Sequence, residues 1–245
     1  MRAKIASLAA APLIAGAFLT APAAAQGLTY TRDVSATART AYVFRGLQLA
    51  EENVKLNGEL RFNGIHAGAT WIAPLDDAFP SESQVYGAWS PHIEDHGSPI
   101  DFELGFNWYA TPESAPGFAD ASRFEPYAKL YLDAPLMPSL AGYYDAELEA
   151  FTLEGRLTHY VPMGLNAIQF GFDGGLVSPD VGDERAYAQG SVEYIRNFLN
   201  GVEGFVGLRG AVSDQDTFVG DVTALGPVYD QDNKAWVSVG VAATF

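Results

Sequence analysis

From Ile100 onward the chain alternates without a fault. Ile100, Phe102, Leu104, Phe106 and Trp108 fall on one face, and Asp101, Glu103, Gly105, Asn107 and Tyr109 on the other. A period of two sends successive side chains to opposite faces of a strand, and a 3.6-residue helix cannot carry it. The same register recurs at Ile168, Phe170 and Phe172 against Gln169, Gly171 and Asp173. It recurs again at Val237, Val239, Val241, Ala243 and Phe245 against Ser238, Gly240, Ala242 and Thr244. Carried along the chain, the pattern predicts twelve strands, at roughly 33–45, 53–63, 65–73, 83–91, 99–110, 122–133, 138–147, 150–161, 167–177, 185–196, 202–212 and 234–245. Most have the ~9–11 residues that a tilted strand needs to cross a bilayer. No repeat exceeds this hairpin spacing and no linker interrupts it, so the segments form one domain.

The first residues obey a different pattern. Arg2 and Lys4 precede a small-residue apolar stretch, Ile5 to Ala21, and Ala23-Ala24-Ala25 offers a small-residue cleavage site before Gln26. Residues 1–25 are therefore expected to be a signal peptide, with 26–245 as the exported domain.

Alternation alone fits a secreted sandwich as well as a membrane barrel, and three features favour the barrel. The polar face mixes charges of both signs with glycine, as a hydrated interior would. Connections divide into short ones (Asn63-Gly64, Met163–Asn166, Asn197–Gly201) and long polar ones (Ala73–Ser83, Thr111–Ala121, Ser178–Glu184, Ser213–Asn233). Short turns at one end and long loops at the other are the outer-membrane pattern. The chain also stops in mid-strand at Phe245, on the apolar face, where it looks like the insertion signal of outer-membrane barrels. Tyr42, Phe44, Trp71, Trp108, Tyr109, Tyr143 and Tyr144 lie near strand ends, where interfacial girdles are expected. The fold class predicted is all-β: a single antiparallel transmembrane β-barrel of about twelve strands, with both termini on the periplasmic side.

Composition narrows the chemistry. The 30 acidic residues against 14 Lys and Arg give a net charge of −16, which argues against nucleic acid as a partner. There is no Cys, and with 4 His little remains for a metal centre. His159 has no serine in the place an esterase on the same outward face would need, and Glu94-Asp95-His96-Gly97 reads as a solvated turn. The acidic run Asp214-Gln215-Asp216, with Asp221, Asp230 and Asp232, matches no calcium loop. No catalytic residue, metal or cofactor is expected, and the chain is not read as an enzyme.

Ala41-Tyr42-Val43-Phe44-Arg45-Gly46, after an alternating first strand, resembles the "dYvfRG" signature of the TorF family, small exported proteobacterial proteins regarded as porins. Ala69-Thr70-Trp71, Val85-Tyr86-Gly87 and Gly142-Tyr143-Tyr144 fit its weaker pattern. Position 41 is Ala where that family usually has Asp. The resemblance implies an outer-membrane barrel and carries no catalytic residues.

The function expected is a porin-like channel for passive diffusion of small hydrophilic solutes. At twelve strands the lumen falls between a filled barrel and an open pore, so it should be narrow or partly plugged. The bases expected to line it are Arg39, Arg45, Lys55, Arg61, Lys129, Arg156 and Arg209. The acids are Glu59, Asp101, Glu103, Asp145, Glu147, Glu154, Asp173 and Glu193, joined in the same register by Glu125, Asp133 and Glu203. Acids outnumber bases, which predicts a weak cation preference. Arg45 is placed inward at the top of the first strand, where it should seek a carboxylate. The expected partners are small polar solutes or ions, outer-membrane lipid and lipopolysaccharide, and the barrel-assembly machinery that reads Phe245. The alternative is a closed structural or adhesive barrel whose extracellular loops bind a partner.

Overall fold

The alternation closes on itself. The computed structural model describes residues 30–91, 99–111, 121–198, 201–223 and 226–245, and the expected signal peptide and the Glu94–Gly97 turn lie outside them. Twelve strands form the barrel: β1 (Tyr30–Arg39), β4 (Asn53–Phe62), β5 (Ile65–Pro74), β6 (Glu82–Trp89), β7 (Ile100–Thr111), β8 (Ala121–Leu132), β9 (Ser139–Asp145), β10 (Ala150–Met163), β11 (Asn166–Pro179), β12 (Arg185–Asn197), β13 (Val202–Ser213) and β16 (Asn233–Thr244). Each pairs antiparallel with its neighbours, and β1 closes the ring by pairing with both β4 and β16. Closure removes every sheet edge, so every wall strand has a hydrogen-bonded neighbour on both sides.

Burial is inverted relative to a water-soluble protein. Leu104, Trp108 and Val241 on the outer face are 49, 46 and 54% exposed, while Glu125 and Asn53 inside are 1% exposed. A continuous belt of exposed Phe, Leu and Val is unstable in water and at home in hydrocarbon. This inversion, rather than the alternation, separates a membrane barrel from a sandwich.

The start of β1 and the C-terminal residue lie at one rim, the terminal rim, where Arg32 and Phe245 exchange backbone hydrogen bonds of 3.0 and 2.9 Å. The Asn63-Gly64 turn at this terminal rim has both residues at positive φ, 47° and 75°, the type I′ geometry that matches the twist of its strands.

Four short strands lie outside the wall. β2 (Tyr42–Phe44) pairs with β3 (Leu47–Ala50), and β14 (Phe218–Thr223) pairs with β15 (Gly226–Gln231). The first expected segment, 33–45, is therefore two elements: the wall strand ends at Arg39 and the chain turns inward. Tyr42 and Phe44 continue the alternation because a hairpin buried on one face alternates as a wall strand does. The polar stretch 213–233 likewise holds the second hairpin. The two hairpins meet inside the rim opposite the terminal one and supply an apolar core there. Tyr42, Ala50, Ile72, Phe79 and Val219 form one cluster, and Ala41, Ala211, Phe218 and Trp236 another.

Candidate functional site

The β2–β3 hairpin reaches across the lumen. Its tip, Arg45-Gly46, has φ of 50° and 72°, a second type I′ turn, with Phe44 facing Leu47 across it. Glycine is required at 46 twice over, by this φ and because a Cβ there would stand 2.4 Å from Tyr187 Cβ on β12. Arg45 forks onto Glu125 of β8, with Nη2 donating to Oε1 at 3.0 Å and Nη1 to Oε2. Its guanidinium lies 4.0 Å from the ring centroid of Tyr143 and 4.6 Å from that of Phe44. Asn107 Nδ2 (3.0 Å) and the Tyr109 hydroxyl (3.2 Å) also donate to Glu125, so this buried carboxylate is well satisfied. Burial alone pulls the Arg45 pKa down, but the hydrogen bonds and charge of Glu125 more than reverse that, and Arg45 stays cationic.

The base of the hairpin is tied to the second one. Gln48 is fully buried: its N–H donates to the Thr217 carbonyl (3.0 Å), while its Oε1 accepts from Val219 N (3.0 Å) and its carbonyl from the Tyr229 hydroxyl (3.1 Å). Lys234 Nζ bridges Glu51 Oε1 and the Val219 carbonyl, both at 3.1 Å, and the Tyr42 hydroxyl donates to Glu82 at 3.1 Å. The lumen is thus narrowed by an element that is not part of its wall.

On the terminal side of the hairpin lies a cavity of about 1050 Å³, which reaches the rim at Asn63–Ile65 and Leu132–Pro138. Its lining is polar, including Lys55, Asn57, Glu59, Glu103, Asn107 and Lys129. Its charges are mostly spoken for. Arg61 binds Glu59 and lies 3.5 Å from Asp33, and Glu103 takes Lys129 at 3.5 Å and His66 at 3.4 Å. Arg156, also in the lining, binds Asp173 and approaches Glu154 (3.7 Å); elsewhere in the lumen Arg123 binds Asp145 (3.1 Å) and Arg209 binds Glu193.

A row of glutamate, glycine and tyrosine appears twice across three strands. Glu59 faces Gly68, which faces Tyr86, and Glu154 faces Gly175, which faces Tyr187. In each row the ring lies over the bare glycine and its hydroxyl reaches the carboxylate beyond, at 2.7 Å for Tyr86 and 2.5 Å for Tyr187. A Cβ at Gly68 would stand 2.3 Å from Tyr86 Cζ, so the glycine is what makes room. Tyr127 and Tyr131 similarly hold Glu103, at 2.8 and 3.4 Å.

Of the residues expected in the lumen, Arg39, Lys55, Glu59, Arg61, Asp101, Glu103, Lys129, Asp145, Glu154, Arg156, Asp173, Glu193 and Arg209 lie on the inward register of wall strands. Two are corrected in position. Arg45 sits on the hairpin tip rather than on the first strand. Glu147 lies in the exposed turn after β9, which ends at Asp145, and its Oε2 accepts the Phe124 N–H at 2.6 Å. The girdle expectation also changes: Tyr42, Tyr109 and Tyr143 are interior and at most 8% exposed, whereas Trp108 and Tyr144 do face outward. Sequence reasoning missed Glu82, one residue before its expected strand, and Arg123, two residues before Glu125 in the same register. It also missed the inward tyrosines, which the polar register already marked.

The fold is that of known outer-membrane barrels. KdgM porin superposes with a TM-score of 0.56 at 12% identity, covering 87% of this chain and 99% of that one. NanC porin gives 0.56 at 14% identity, covering 86% and 98%. LpxR from Salmonella typhimurium gives 0.51 at 7%, covering 87% and 99%. No curated protein matches the sequence. Residues 21–239 match the model of a family described as a bacterial protein of unknown function (Gcw_chp), a match that does not carry the TorF name.

Proposed function

The chain belongs to the Gcw_chp family of bacterial proteins of unknown function, and from its own lumen we propose that it is an outer-membrane channel for small hydrophilic solutes. The observation that carries this reading is the polar, charge-lined cavity that opens at the terminal rim and narrows at the Arg45 hairpin. In this reading the terminal rim faces the periplasm, the two hairpins fold in from the extracellular side, and the exposed apolar belt contacts lipid. Solutes diffuse past paired charges whose mutual neutralisation keeps them from being trapped. The lining residues are those on the inward register, with Glu147 removed and Glu82, Arg123 and the tyrosines added. Phe245, 61% exposed at the terminal rim, is kept as the residue read by the assembly machinery, and lipopolysaccharide as the outer-leaflet partner.

The cation preference expected from the acid excess loses its basis here. Arg123, Arg185 and Lys234 also occupy the inward register, and most lumen acids are bound to bases.

One observation favours a closed barrel with extracellular binding loops: the hairpin is tied at both its tip and its base. Single-channel recording in planar bilayers separates the two. Discrete conductance steps support the channel. Their absence from protein shown to be folded by heat-modifiability supports the closed barrel.

A further inference from the structure

Most lumen cations have a carboxylate, but among the described residues Arg39, Lys55 and Arg185 have none, and the first two lie close together. Among the described residues, Lys55 makes no ion pair or hydrogen bond, and Arg39 has only the Tyr42 ring, 5.3 Å from its guanidinium carbon. The two lie on adjacent strands. Lys55 faces Thr37 on β1, and Arg39 is the next inward residue along that strand. Arg39 in turn faces Ser238 on β16, and Ser238 faces Gly207 on β13, two residues before Arg209. The register thus brings Arg39, Lys55 and Arg209 onto one stretch of the inward face, across β4, β1, β16 and β13. Three cations therefore share one side of the lumen with two carboxylates, Glu193, which is bound to Arg209, and Glu82, which accepts from Tyr42.

Two further groups in this row lack partners. Ser238 Oγ and Arg209 Nε are buried and have no hydrogen-bond partner. A buried donor without an acceptor is costly, and so are like charges held together in a low-dielectric lumen. One oxyanion would relieve both, by neutralising the excess positive charge and accepting the orphan hydrogens. Of these residues Lys55 lines the 1050 Å³ cavity, so a solute entering from the terminal rim reaches the cluster at Lys55, with Arg39, Arg209 and Ser238 behind it.

We propose that Arg39, Lys55, Arg209 and Ser238 form an oxyanion site just beyond the inner end of the cavity, entered past Lys55, which takes the carboxylate or phosphate of a small polar solute. The site deepens the channel reading by naming its substrate class, and it rests on that reading only for its place in transport.

The test is calorimetric titration of the full-length folded barrel in detergent with glucuronate, with inorganic phosphate, and with glucose as the uncharged control. Binding of either anion without glucose supports the site, and the anion that binds identifies its source chemistry. Lys55→Gln and Arg39→Gln should each weaken anion binding by about tenfold, as expected for a lost charge-assisted hydrogen bond. Lys55→Arg should restore it, and Glu147→Gln, in the exposed turn, should change nothing. Heat-modifiability shows that each variant is folded. Equal binding of glucose, no anion binding, or undiminished binding in both Gln variants overturns the site. Bilayer recording judges the channel separately. Conductance without anion binding leaves the channel and removes the site, and anion binding without conductance does the reverse.

Discussion

Replacing Arg45 with alanine tests whether one ion pair holds the constriction. The side chains of Arg45 and Glu125 are 10% and 1% exposed, so removing the guanidinium leaves a carboxylate that water barely reaches. Breaking one side of a buried pair costs ~3–5 kcal/mol. Asn107 and Tyr109 still donate to Glu125 and hold the loss toward the lower end of that range. The φ of 50° persists for alanine, so no strain is relieved. Because the hairpin is outside the wall, the cost falls on docking of the hairpin and not on the barrel. A loss of ~3 kcal/mol raises the undocked fraction by about two orders of magnitude, at about 1.4 kcal/mol per tenfold. Bilayer recordings of Arg45→Ala should show larger, flickering steps where the wild type is quieter, with the barrel's thermal transition little changed. The double variant with Glu125→Gln should lose less than the two singles combined, because each single removes the same contact. Unchanged conductance with a lower thermal transition would refute the constriction role and leave the pair as a structural tie. Additive losses would refute the coupling itself.

Facing can be tested by labelling, since the chain has no native Cys: a water-soluble thiol reagent should reach Glu103→Cys faster than Leu104→Cys in vesicles, and equal rates would sink the assigned register. Leu104→Arg should cost ~2–4 kcal/mol in folding into lipid if this residue lies near the midplane, and a value near zero would contradict a lipid-facing wall. Gly68→Ala should destabilise the barrel by ~1–3 kcal/mol through overpacking against Tyr86, and Tyr86→Phe combined with it should recover little, because the ring carbons still clash. Deleting Phe245 should leave the protein unassembled in the periplasm, and normal outer-membrane levels of heat-modifiable protein would reject its role as a signal.

Strand number and facing were legible because a period of two is local: whether Phe102 or Glu103 faces outward follows from its neighbours alone. The outward belt and the Asn63-Gly64 turn could be read in the same way. The lumen could not. Arg45 finds Glu125 at a separation of 80 residues, and no local pattern specifies which inward base meets which inward acid. Barrel closure decides it, by fixing the register of every strand. Tyr86 and Tyr187 read as generic aromatics until register places a glycine between each ring and its glutamate. Tyr42 and Phe44 alternate as wall residues do, so the inward turn at the end of β1 left no periodic trace beyond Arg45-Gly46. The sequence by itself thus determined the wall strands and which of their positions share a face. Only tertiary structure decided which of the inward charges are neutralised, because pairing across a lumen depends on three-dimensional neighbours and the periodicity of a strand records only its own two faces.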